Sequence, residues 1–365
     1  MLINSEDPFK ITRLIKNYVG KDTALITVGE KTNVDIHKLI FFLNEQTINF
    51  IGGIFPMVVY ENDVNERGIV IHRLTSVINI STIKNISQKK YTIPPIDFEP
   101  NNNYSLVTFV DGLTSNISTF LSNLYENYGM QTTYFGGGAG SLSLKQKPCV
   151  FSKNGFFKDA AVVCVNKMKS NIGVKHGWKK LDGPFIVTKA HQNTIEEINW
   201  ENPFSTYKKV VEKNANTNFD DQNFFELASG YPLGIIKEGA EHIIRDPLSV
   251  KDDRFLICVG QVEENTMINI MKGENKSLIN AAKIATEEVV NQTKKAKNAI
   301  IIDCISRILY LKDNFKYELE AVSKTIKNKF PDIQICGALT LGEISSYGNG
   351  YIEFYNKTIV VGLFE

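Results

Sequence analysis

One pattern occurs three times in this 365-residue chain and constrains its fold more than any other feature. A short apolar β-type run is followed by an amphipathic stretch, a second run that breaks into glycines, and then a further strand. The first copy runs from Ala24-Leu-Ile-Thr-Val28 through Val34–Asn44 to Ile48-Asn-Phe-Ile-Gly-Gly53. The second runs from Leu106-Val-Thr-Phe-Val-Asp111 through Ile117–Tyr128 to Thr133-Tyr-Phe-Gly-Gly-Gly138. The third runs from Ala299-Ile-Ile-Ile-Asp303 through Tyr317–Phe330 to Ile333-Gln-Ile-Cys-Gly-Ala338. Behind each break comes another strand: Gly68–His72, Ala160–Val165 and Thr358–Leu363. Glycine lets backbone turn sharply or approach a ligand closely, so the breaks mark where a pocket is expected.

Periodicity extends this reading along the chain. Residues 1–22 form a lead-in with a short helix over Ile11–Tyr18, and the proline- and asparagine-rich segment 85–103 reads as a loop. Phe255–Val259 reads as a strand. In Ser277–Thr293 the residues Leu278, Ala281, Ala282, Ala285 and Val289 share one side of a helix. The polar stretch Asn214–Asn223 places a division near residue 218, giving one domain over 1–218 with two repeats and a second over 219–365 with the third. Helices alternating with strands, some joined by short polar turns, imply an α/β or α+β fold with mixed sheets rather than pure parallel winding.

Composition excludes several function classes. The net charge of +1 leaves no global field favouring nucleic acid or an anionic membrane. The lysines of Lys294–Lys297 fall on a helix-like segment and read as a solvated face. The amino terminus has neither a basic n-region nor an apolar h-region, and no stretch approaches the roughly 18 apolar residues of a membrane span. The five cysteines are scattered, with no Cys-x-x-Cys or Cys/His metal spacing. A reducing cytoplasm is therefore the expected location.

An ordered set of phrases carries a resemblance. They are Gly136-Gly-Gly-Ala-Gly140, Lys158-Asp-Ala-Ala-Val-Val-Cys164, His176-Gly-Trp178, Gly183-Pro-Phe-Ile-Val-Thr188 and Tyr231-Pro-Leu-Gly234, followed by Ile244-Arg-Asp-Pro247, Asp303-Cys-Ile-Ser-Arg307 and Leu341-Gly-Glu-Ile344. Together, from about residue 20 to the end, the chain resembles the FIST family, with its amino-terminal and carboxy-terminal FIST domains in tandem. The resemblance implies a sensory module of signal transduction that binds a small molecule, with amino acids proposed for some members and haem with nitric oxide for others. It also implies an output on another chain, such as a histidine kinase or a cyclic-dinucleotide enzyme. The first repeat departs from the family pattern at Phe55-Pro-Met-Val-Val-Tyr60.

The candidate site residues are weighed on their chemistry. Arg307 follows its strand by one turn, where α/β sheets meet ligands, and its guanidinium can hold a carboxylate by two parallel bonds. Its competing role is an ion pair with Asp303 or Glu343. Glu343, just past the third glycine break, can accept a ligand ammonium or cap turn amides. Cys304 is a nucleophile only with a base beside it, and none is identifiable. Gly136, Gly137 and Gly138 lack the phosphate-loop pattern and read as a tight turn lining a pocket. His176 is a haem ligand, a pocket wall or a structural histidine. Arg245 reads as a paired structural arginine. The expected function is a small-molecule sensor for an amino acid or other small carboxylate, bound between the two halves, with no cofactor. The alternatives are a haem-based nitric-oxide sensor and an enzyme using Cys304 or Glu343.

Overall fold

The computed structural model describes residues 1–219, 224–239, 241–346 and 351–365. In each repeat the first strand (Thr23–Gly29, Tyr104–Asp111, Asn298–Cys304) pairs parallel with the second (Phe50–Phe55, Thr132–Ala139, Ile335–Thr340). The same first strands pair antiparallel with the third (Ile69–Leu74, Ala160–Asn166, Ile359–Phe364). A parallel pair needs a crossover, and helices Ile36–Glu45, Ile117–Tyr128 and Phe315–Lys329 supply it. The first strands are buried along almost their whole length, which is why they read as continuous apolar runs rather than alternating ones. Helix Ile117–Tyr128 is typical of the crossovers. Ile117, Phe120, Leu121, Leu124 and Tyr128 fall on one face and are buried, and Gly129 ends the helix at φ 67°.

The sheets are mixed, and their completion is not local. A hairpin from each repeat leaves its own sheet and extends the next. Met57–Tyr60 of the first repeat pairs with Ile335–Thr340 of the third. Val150–Ser152 of the second pairs with Phe50–Phe55 of the first, and Glu343–Ser346 of the third pairs with Thr132–Ala139 of the second. Three six-stranded sheets are thereby locked in a cyclic exchange. A fourth sheet of seven strands is built from residues between Lys179 and Lys272, with the long strand Lys179–His191 near its middle. Strands from both sides of residue 218 thus share sheets. Of the polar stretch at 214–223, residues 220–223 lie outside the described residues, and its beginning caps helix Pro203–Ala215.

Gly136–Gly138 do not form the expected tight turn. They end the extended strand Thr132–Ala139 and are buried. A Cβ on Gly136 would lie 1.8 Å from the Thr108 carbonyl oxygen of the neighbouring strand, and one on Gly137 would lie 2.8 Å from Thr340 Cγ2 and 2.9 Å from Ile302 Cγ2. Gly136 thus admits a close approach of its paired strand, and Gly137 lets the third sheet approach more closely than a side chain permits. Gly337 repeats the arrangement in the third sheet, with the Ile301 carbonyl oxygen 1.9 Å from where its Cβ would be.

Candidate functional site

Arg307 lies in the first turn of helix Ile305–Leu311 and is wholly buried. Nε and Nη2 donate to the two carboxylate oxygens of Glu318 at 3.0 and 2.6 Å. Nη1 donates to the carbonyls of His176 (2.6 Å) and Lys357 (3.1 Å), and Nη2 also to that of Leu278 (3.1 Å). A guanidinium has five N–H donors, and all five are committed within the protein. Arg307 ties four chain segments together and has no donor left for a carboxylate ligand.

Glu343 opens strand Glu343–Ser346 rather than standing on a turn, and it is equally buried. Its Oε1 accepts from Thr340 Oγ1 at 3.0 Å and its Oε2 from the Thr358 amide at 3.2 Å. Burial lifts its carboxyl from 4.5 to about 8, against the opposing pull of these bonds and of Arg307. Asp303 Oδ1 stands 3.3 Å from Arg307 Nε, yet neither carboxyl oxygen has a hydrogen-bond donor. Burial, with Glu318 and Glu343 nearby, pushes Asp303 well above the usual carboxylate range. Cys304 accepts from Ser306 Oγ at 3.0 Å, and burial beside Glu343 raises its thiol, so the nucleophilic thiolate is suppressed. Arg307, Glu343 and Cys304 thus come together, but in a sealed cluster and not in a cavity open to a ligand.

His176 is also buried, following strand Ser170–Lys175. Its Nδ1 accepts the Trp178 amide at 2.8 Å, and Nε2 lies 3.4 Å from Glu241 Oε1. Burial first, then His242, Arg307 and Lys175, lower its pKa to about 3, so the ring is neutral. With both nitrogens engaged, His176 does not fit an axial haem ligand, and the three larger cavities described here have no histidine in their linings. Among the described residues no group of three or more His, Cys, Asp or Glu side chains is placed to hold a metal ion.

The cavity best equipped for a ligand lies elsewhere, at the end of strand Tyr104–Asp111, where the second sheet faces the fourth. It measures about 410 Å³. One wall is the loop and helix start Gly112–Ser118; the other comprises Arg245, Leu248 and Cys258–Gln261, with Phe354 between them. The strand-to-helix junction of a sheet is where α/β proteins expose backbone amides to ligands. Here the helix starts uncapped: Asn116 adopts a left-handed conformation, φ 65°, and its side chain donates to the Ser87 carbonyl instead of accepting from the helix. Thr114 Oγ1 bonds Asp159, and the Asp111 carboxylate accepts from Leu113 and Asp159 amides, so the loop is braced from behind.

Arg245 faces this start from the fourth sheet. It is only 4% exposed. Nε donates to the Gln261 carbonyl at 2.9 Å, and Nη1 is shared among Ile244 O, Phe354 O and Asn356 Oδ1. Nη2 has no acceptor among the described residues, and the residue lines the cavity. Burial lowers the guanidinium to about 10, which leaves it charged at neutral pH. Gly260, at φ 80°, makes room for it, because a Cβ there would lie 3.1 Å from Arg245 Nε. Cys258, in the same wall, is a neutral thiol raised to about 12 by burial. A larger groove of about 650 Å³ between strand Lys179–His191 and helix Pro203–Ala215 has charged residues too, but Asp182, Glu201, Lys209 and Lys213 are all solvent-exposed there. Sequence reasoning read Arg245 as a paired structural arginine and did not single out the helix start. The available signal was the bare Ser115-Asn-Ile117 junction directly after a buried strand.

An α+β protein with a donor-lined cleft between its sheets is the class these features define. The chain belongs to the FIST family: the FIST N domain matches residues 22–201 and the FIST C domain residues 203–346. FIST domains are sensor domains of signal transduction. No curated protein matches the chain. No described helix is long and apolar enough to cross a membrane.

Proposed function

We propose that this FIST protein is a cytoplasmic small-molecule sensor whose ligand, an amino acid or other small carboxylate, occupies the cleft between Gly112–Ser118 and Arg245–Gln261. It relays occupancy to a signalling protein on another chain, such as a histidine kinase or a cyclic-dinucleotide enzyme. The observation that carries this reading is Arg245, a buried guanidinium with its Nη2 donors unspent in a cleft of about 410 Å³. A ligand there would touch residues on both sides of the family's domain division, and ligand sites favour such clefts. The five free, buried cysteines suit a reducing compartment.

Calorimetric titration of a panel of amino acids and small carboxylates tests the reading, with Leu248→Trp as the cleft-filling variant. Leu248 is partly exposed on the cleft wall, so the larger ring fills the cavity without entering a core. Binding by the wild-type protein and its loss in Leu248→Trp is the expected outcome. Undiminished affinity in Leu248→Trp would place the ligand elsewhere.

A further inference from the structure

The charge around the cleft says more about its ligand than its size does. A zwitterion needs a carboxylate in the wall to receive its ammonium, yet among the described residues no Asp or Glu lines this cavity. The nearby acids are spent elsewhere. Asp111 and Asp159 brace the loop from behind, Asp246 pairs with Lys357 at 2.9 Å, and Glu353, whose charge also acts on Arg245, pairs with Lys237 at 3.2 Å outside the cavity wall. The two features that do face the cavity both favour negative charge. One is Nη2 of Arg245; the other is the uncapped amino end of the twelve-residue helix Ile117–Tyr128, whose free amides and dipole attract anions. Leu248 and Phe354 add apolar surface beside them.

We infer that the cleft takes a small organic carboxylate that carries no ammonium group, its carboxylate seated between Arg245 Nη2 and the amides at the start of helix Ile117–Tyr128. This rests on the reading of the cleft as the sensory site and narrows it: 2-hydroxy and 2-oxo acids are ligands, and the amino acids of matching skeleton are discriminated against. Each amino acid would bring a cation towards a guanidinium and a helix amino end with no carboxylate among the described lining residues to receive it.

Matched pairs isolate that single group. L-lactate against L-alanine, and L-phenyllactate against L-phenylalanine, differ only in hydroxyl versus ammonium. Titrations at pH 7 and low salt are expected to show the hydroxy acid bound at least about 10-fold more tightly in whichever pair binds. Because Arg245 also bonds backbone carbonyls, its removal can unfold the chain, so the informative variants lie at Ser118. This residue is exposed, lines the cavity and occupies the first helical turn. Ser118→Asp should weaken hydroxy-acid binding about 10-fold while leaving the melting temperature unchanged or raised, since an acid suits a helix start. Ser118→Lys should tighten binding. Amino acids bound as tightly as their hydroxy partners, or affinity indifferent to charge at Ser118, would overturn this inference and leave the sensory cleft standing. Tighter binding of inorganic phosphate than of any carboxylate would also overturn it. Binding by no member of either series, and by no amino acid or carboxylate of the wider panel, would remove the cleft reading with it.

Discussion

Glu343 gives the sharpest test of the buried cluster, because its charge state is set by the fold. Its carboxyl ionises near 4.5 when solvated and near 8 in the native protein, chiefly through burial. Between those values the folded state holds a proton that the unfolded chain releases. Stability therefore falls as pH rises through this window, and the loss is complete once pH exceeds the folded value. At about 1.4 kcal/mol per pH unit, the fall from pH 6 to pH 8 is roughly 2 kcal/mol, a sizeable share of the 5–15 kcal/mol of a typical domain. His72 and His176, both lowered to about 3 by burial, act in the opposite sense, since their contribution is lost as pH falls below about 6.5. Their influence reaches the pH 6 end of the range but is common to wild type and variant, so it cancels in the difference between them. Glu343→Gln removes the titration and keeps the geometry: its carbonyl oxygen can accept the Thr358 amide, and its amide can donate to Thr340 Oγ1. Urea melts of both proteins at pH 6, 7 and 8 should show the gap between the two curves widening by about 2 kcal/mol from pH 6 to pH 8, as the wild type loses stability that the variant keeps. Any slope left in Glu343→Gln reports Asp303, which is displaced in the same direction, together with the opposing slope of the two histidines near pH 6. Parallel curves for the two proteins would show that Glu343 is ionised throughout and that burial does not hold its proton.

Two further predictions concern packing. Arg307→Met leaves the carboxylates of Glu318 and Asp303 buried without their cation, a change expected to cost about 3–5 kcal/mol in denaturant melts and to be partly relieved on acidification; ligand affinity in the folded fraction should not change, and a large affinity loss at unaltered stability would return Arg307 to the site. Gly136→Ala drives a Cβ to 1.8 Å from a backbone carbonyl, whereas Gly129→Ala meets nothing within 4 Å and bears only the strain of φ 67°. Solubility and melts should show Gly129→Ala losing about 1–2 kcal/mol and Gly136→Ala losing clearly more; equal effects would disprove the close strand contact.

Much of the local structure was legible in the sequence. The three strand-helix-strand units follow from apolar runs too continuous for exposed strands, and from helical periodicity at Ile117, Phe120, Leu121 and Leu124. The mixed sheets follow from short polar turns between neighbouring strands. Both signals are carried by residues a few positions apart, where backbone geometry alone relates spacing to face. The family motifs likewise located the Arg307 strand end and the triple glycine.

What those residues do was decided only by the tertiary structure. Arg307 and Arg245 have similar settings in the sequence, each at or just beyond a strand end, one four residues after an aspartate and the other directly before one. Arg307 is saturated because its acceptors arrive from Glu318, 11 residues away, and from His176, 131 residues away. Arg245 keeps its two Nη2 donors because no acceptor among the described residues is brought to them, and Nη2 is left to the cavity that the residue lines. Gly136–Gly138 are needed because Thr108 of the paired strand, Thr340 and Ile302 of the third sheet, and Leu341 come too close for any side chain, and strand Glu343–Ser346 crosses into their sheet as Met57–Tyr60 and Val150–Ser152 cross into others. Burial, hydrogen-bond saturation and the charge of a cleft depend on which distant segments meet, and no periodicity within one segment encodes that meeting.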